Sequence, residues 1–149
     1  MRVKRFFVLT TVLIVGLPFF VSYAENKRPS HSMSEASVQN ALWLYTFGIK
    51  AAQIQTSGPT HIEINGNLTI FHFNSYSDPH YPGIMMSGTI TVNATTNTEN
   101  GTLIFTGCDV TTIILNNFVT EPSPSGQLII HFTDNTRLVY DYSTNVVSQ

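Results

Sequence analysis

From residue 60 onward the chain adopts a period of two, and one signature recurs four times: Asn65-Gly66-Asn67-Leu68-Thr69-Ile70, Ser87-Gly88-Thr89-Ile90-Thr91-Val92, Asn100-Gly101-Thr102-Leu103-Ile104-Phe105 and Ser125-Gly126-Gln127-Leu128-Ile129-Ile130. Each pairs Asn or Ser with glycine and sets apolar residues at the second and fourth positions after it. Glycine admits the positive φ of a tight turn or bulge, and the alternation buries one face of the strand that follows. The repeats are too irregularly spaced for a solenoid and suit an antiparallel meander. Strands are predicted near 60–64, 67–73, 84–93, 102–106, 110–115, 126–133 and 137–142, with Asp134-Asn135 turning the last hairpin. Glu121-Pro122-Ser123-Pro124-Ser125 is a stiff connection that interrupts the sheet. Most of these strands fall short of the about 9 to 11 residues of an outer-membrane barrel.

Upstream, Val38, Ala41, Leu42, Tyr45, Ile49 and Ala52 recur at helical spacing. Ser32 and Glu35 form a capping box before them, and Gly58-Pro59 stops anything helical after them. Gln39, Thr46, Lys50 and Gln53 share one narrow strip, while Trp43, Phe47 and Ile54 cluster beside it, away from the main apolar stripe. A helix this greasy must be enclosed on more than one side, by a cradling sheet, a partner chain or lipid. The strands downstream make the cradle the expected solution. The reading is an α+β domain over 34–149: an N-terminal helix packed on a strongly twisted, mostly antiparallel sheet of about seven strands, a meander that is open or partly closed.

The first residues describe an export signal. A basic start, Met1-Arg2-Val3-Lys4-Arg5, precedes an apolar run from Phe6 to Phe20 and small residues at Ser22 and Ala24, so residues 1–24 are expected to be cleaved. Pro18 interrupts that run, which is shorter than the roughly 20 residues of a spanning helix, so no membrane span is expected after cleavage. The expected localisation is therefore periplasmic or extracellular. Residues 25–33 are a polar lead-in expected to be flexible. Beyond Ala24 only Lys27, Arg28, Lys50 and Arg137 are basic, against nine acidic residues. This balance excludes nucleic acid and argues against adhesion to an anionic membrane surface.

Cys108 is the only cysteine, so no internal disulfide is available and the apolar core must hold the fold. It reads as a small hydrophobe at a strand end, with pairing to another chain or action as a nucleophile as rivals. Asn67, Asn93 and Asn100 begin glycosylation sequons, with Asn93 and Asn100 expected at the tip of the hairpin joining the third and fourth strands.

The stretch most suggestive of chemistry is His72-Phe73-Asn74-Ser75-Tyr76-Ser77-Asp78-Pro79-His80-Tyr81-Pro82-Gly83. Aligning the first and fourth signatures on their glycines puts His72 in the buried phase and His131 one residue out of step, on the other face of the sheet. His72 is thus expected to be a core histidine, and Asn74 to Gly83 an aromatic, proline-stiffened loop. His72, Asp78 and His80 supply nitrogen and oxygen donors suited to zinc or copper, but their spacing matches no defined metal site. Ser77, Asp78 and His80 are the residue types of a hydrolytic triad, yet neighbours on an extended loop point apart and no nucleophile elbow surrounds the serine. No catalytic residue and no cofactor are assigned.

Tyr76 and Tyr81 offer rigid aromatic faces, and Asn74, Asp78 and His80 offer polar contacts between them, the composition of a surface that grips a glycan, a peptide or an apolar ligand. The function expected is an exported, non-catalytic binding module with a protein or glycan partner. A secreted hydrolase or metal-binding protein using residues 72–83 is one alternative. Another is an assembling surface subunit, a homo-oligomer whose strands carry few lysines against edge pairing.

Overall fold

The structure is a computed structural model and describes residues 35–54, 59–119, 125–142 and 146–148. The signal pattern, the lead-in, Ser32 of the capping box and the Glu121-to-Pro124 stretch lie outside the described residues, as do the side chains of Gln53 and Ile54. One helix, α1 (Glu35–Ile54), is followed by eight strands: β1 (Thr60–Asn65), β2 (Leu68–Tyr76), β3 (Met85–Asn93), β4 (Thr98–Thr106), β5 (Val110–Val119), β6 (Ser125–Phe132), β7 (Arg137–Asp141) and β8 (Val146–Ser148). They pair in chain order, every neighbour antiparallel, and the sheet does not close. The α+β meander expected from the alternation is present. Its short eighth strand carries no alternation long enough to read.

Two rows of cross-strand neighbours build the inner face. One runs Phe73, Gly88, Leu103, Ile113, Ile130, Leu138; the other runs Phe71, Ile90, Gly101, Leu115, Leu128, Tyr140. Apart from the two glycines, every member is buried. Gly101 has φ +151, and a Cβ there would strike the backbone carbonyl of Thr89 on β3, so that position admits only glycine.

The helix lies on this inner face. Ala41, Leu42, Leu44, Tyr45, Thr46, Ile49 and Ala52 are buried, and among the described side chains of α1 only Gln39 and Lys50 are exposed. The helix is thus buried over most of its circumference, as its apolar residues predicted. Thr46, expected on the polar strip, is buried instead. Its hydroxyl donates to the Leu42 carbonyl one turn back at 3.0 Å, which satisfies it without water. Close approach centres on Gly48, where a Cβ would stand 2.8 Å from Met86 Cε and 2.9 Å from Phe73 Cε1. Bare backbone at that point lets α1 settle onto β2 and β3.

The glycine alignment holds for three signatures and fails for one. Gly88, Gly101 and Gly126 lie inside strands, and the residues two and four beyond each are buried: Ile90 and Val92, Leu103 and Phe105, Leu128 and Ile130. Gly66 sits instead in the two-residue turn between the paired Asn65 and Leu68. The buried phase of β2 is therefore Phe71 and Phe73, and His72 belongs to the outer face. There it pairs with His61 and Thr89, in a row continued by Thr102, Ile114, Ile129 and Val139. His131 shares that outer face, between Thr112 and Arg137. The expectation of a core His72 on the face opposite His131 is corrected on both counts.

Among the sequons, Asn67 is the one exposed in a turn, whereas Asn100 lies within β4 and its side-chain carbonyl accepts the Asn117 amide at 2.8 Å. Cys108 is half-buried against the core and donates to the Val110 carbonyl at 3.4 Å. Burial raises its thiol pKa, the opposite of what an activated nucleophile needs.

Candidate functional site

The connection from β2 to β3 is built by a bulge. After Phe73 the register shifts, Ser75 adopts φ 51°, and its amide donates to Ser87 Oγ at 2.9 Å, while the Asn74 amide donates to the Pro59 carbonyl at 2.7 Å. The extra residue returns Tyr76 to the inner side, opposite Met86 and only 7% exposed, where strict alternation would have sent it outward. Asn74 remains exposed at the bulge.

Beyond the bulge, Asp78 organises the loop. Its Oδ1 accepts the His80 backbone amide at 2.9 Å and the His80 Nδ1–H at 2.6 Å, and its Oδ2 accepts the Tyr76 hydroxyl at 3.0 Å. The backbone bond is the Asx turn that an aspartate before proline favours. Because an ionised carboxylate only accepts, the His80 ring carries its proton on Nδ1. Burial by itself would raise the Asp78 carboxyl, but the bonds from the His80 amide, the His80 ring and Tyr76 outweigh it and hold it below its ordinary pKa. Burial first, and then the bond to Asp78, pushes the Tyr76 phenol well above its ordinary value. Tyr81 is raised by burial and by the Asp78 charge.

Asp78 and His80 therefore converge, where an extended loop would have separated them. The turn at Pro79 supplies the difference.

The loop then folds over the helix. The His80 ring lies flat on Phe47, with centroids 5.2 Å apart and an interplanar angle of 9°, and Tyr81 stands 6.1 Å from the same ring. Trp43, one turn back, is 6.2 Å from Phe47, and Lys50 Nζ is 5.6 Å from the Phe47 centroid. Of the two helix aromatics set off from the main apolar stripe, Phe47 is thus met by His80 and Tyr81, and Trp43 packs beside Phe47. His80 is 72% exposed while Asp78 is 13% exposed. The result is a stiff aromatic shelf with an outward imidazole on a pinned carboxylate.

Of the five expected contact residues, Tyr76, Asp78 and His80 form one hydrogen-bonded chain, Tyr81 joins through the Phe47 cluster, and Asn74 stands apart at the bulge. His72 does not belong to this group. Its Nε2 faces Glu63 Oε2 at 3.4 Å, and its ring stacks on His61 at 4.5 Å, on the outer face. His72, Asp78 and His80 are consequently on opposite sides of the sheet, and among the described residues no three His, Cys, Asp or Glu side chains are arranged to hold a metal ion. An Asp-oriented histidine can act as a general base, but among the described residues no hydroxyl or thiol is hydrogen-bonded to His80 Nε2.

One carboxylate that nothing in the sequence set apart from Glu63, Asp78, Asp109 and Asp141 is buried. Glu99 is 2% exposed on the inner face, and the Tyr45 hydroxyl of α1 donates to its Oε2 at 3.4 Å. Counting back in twos from Phe105 through Leu103 and Gly101 reaches it, so the alternation contained the signal. The chain matches no family model, no curated protein and no solved structure.

Proposed function

We propose that this chain is an exported, non-catalytic binding module whose contact surface is the shelf of Trp43, Phe47, His80 and Tyr81, edged by Asn74. The observation carrying this reading is the His80 ring held between two constraints, stacked on Phe47 and hydrogen-bonded through Asp78, yet largely open to solvent. A rigid, partly apolar surface with outward polar atoms loses little conformational entropy on contact, the property that makes aromatic residues effective in recognition. A glycan ring or an extended peptide fits such a surface. Export is supported by the signal pattern of residues 1–24. No helix among the described residues is long and apolar enough to cross a membrane.

Trp43 is the only tryptophan and sits in the shelf, so its emission reports contact. Panels of neutral and acidic oligosaccharides and of extended peptides should include a ligand that alters Trp43 emission in the wild type. That ligand should bind roughly tenfold more weakly to His80→Ala and Tyr81→Ala, a loss on the scale of one contact residue. Equal binding by all three proteins would place the contact surface elsewhere.

A second reading, an assembling subunit, draws on the open sheet, whose end strands β1 and β8 are not paired with each other, and on the exposed Ile64 and Ile104. Light scattering that finds a monomer at high concentration would remove it.

A further inference from the structure

Glu99 stands where a charge is least welcome. It lies on the inner face of β4, and its cross-strand neighbours are Val92 on β3 and Phe118 on β5, both apolar and buried. A bulge in β5 sets that environment. Asn117 takes φ 48°, its amide bonded to the Asn100 side chain, and the added residue turns Phe118 inward against the carboxyl. From above, the partner is Tyr45 of α1, itself 2% exposed and edge-on to Phe73. Glu99 and Tyr45 thus meet at the seam between helix and sheet, through one hydrogen bond of 3.4 Å.

We propose that Glu99 is a proton-controlled latch for α1: protonated, it lies within the helix–sheet seam, and on losing its proton it loosens the docking of the helix.

The physical basis is desolvation. Taking a carboxylate out of water without a cation or several donors is costly, so the neutral acid is preferred in place. Among the described residues, Tyr45 is the one ionisable group acting on Glu99, and its hydrogen bond lowers the Glu99 pKa. That single bond does not offset burial, and the carboxyl is pushed up to about 7. Tyr45 is itself raised well above its ordinary value, by burial first and then by Glu99, so it stays protonated through this range.

The sign follows. The folded chain keeps the proton up to about pH 7, whereas an undocked Glu99 releases it near 4.5. The helix is therefore held most firmly below about pH 4.5, and the hold is lost as pH rises from there through neutrality. Each pKa unit is tenfold in the docking equilibrium, so the open fraction should grow on the order of a hundredfold across the window.

The test follows the full chain by amide exchange of residues 35–54, corrected for intrinsic pH dependence, together with Trp43 emission, between pH 5 and 9. Helix exchange should accelerate relative to the sheet as pH rises, with a midpoint near 7. Glu99→Gln, uncharged at every pH and nearly the same shape, should abolish the transition. Tyr45→Phe removes the one bond that favours the carboxylate and should move the midpoint upward. His80 contacts the same helix through Phe47, so His80→Gln must leave the exchange midpoint in place. A transition that survives Glu99→Gln, disappears in His80→Gln, or is absent from the wild type overturns the latch.

Discussion

Among the described residues two histidine–carboxylate pairs stand out, and they differ in what holds them. On the outer face, His72 approaches Glu63 at 3.4 Å and stacks on His61, but all three project from a regular ladder, with Glu63 57% and His72 32% exposed. In the β2–β3 connection, Asp78 receives three hydrogen bonds, one from the backbone, and the histidine it holds rests on a helix from the other side of the core. A strand ladder supplies proximity. A turn backed by a second element supplies fixed geometry. Exposed pairs of the first kind contribute about 0 to 1 kcal/mol, because water screens them and side-chain freedom opposes them.

The comparison is broken most severely by disturbing the helix. Gly48→Val would drive its side chain into Phe73 and Met86, and a loss of about 2 kcal/mol or more is expected in urea unfolding. The His80 ring resonances should shift strongly in that variant while those of His72 stay in place. Shifts of equal size at both would show that the two pairs share their support. Asp78→Asn comes next, with an expected loss of about 1 to 3 kcal/mol at pH 7 for the charge-assisted bonds from His80 and Tyr76. Since the Asp78 carboxyl is held below its ordinary pKa, its contribution is complete above the unfolded value and disappears as pH falls through the acid range. The variant and the wild type should therefore converge in stability toward the acid end of a pH series.

A smaller effect is expected from Phe47→Leu, which keeps apolar volume but removes the stack with His80, at about 0.5 to 1.5 kcal/mol. Its second readout is a His80 ring signal displaced toward the free imidazole position. The smallest belongs to the outer pair: Glu63→Gln should change stability by less than about 0.5 kcal/mol. A loss comparable to that of Asp78→Asn would erase the distinction between the two pairs.

Much of the architecture was legible because it rests on periodicity. Leu103 with Phe105 and Leu128 with Ile130 alternate as strands buried on one face do, and Asp134-Asn135 turns its hairpin, with Asn135 at φ 65°. Trp43 and Phe47 could be singled out as needing a cover because they lie off the main apolar stripe, although nothing local said that His80 and Tyr81 would lie against Phe47. Tyr76 was expected on a contact surface and instead faces inward, since the bulge at Ser75 has no mark beyond ordinary turn vocabulary.

The amino-acid order by itself determined that a nearly all-round apolar helix precedes a meander of alternating strands, and that an aromatic, proline-stiffened connection follows the second strand; the expected start of that connection at Asn74 is corrected, since β2 runs on to Tyr76. Only the tertiary structure decided which face each alternation presents. Alternation specifies parity along one strand, and parity between strands depends on how many residues each turn and bulge absorbs: Gly66 in a turn rather than a strand put His72 outside, and the extra residues at Ser75 and Asn117 brought Tyr76 and Phe118 in. The link from Asp78 to His80, and the seam where Glu99 meets Tyr45, follow from those same counts. Their partners become neighbours only when the helix docks on the inner face of the sheet.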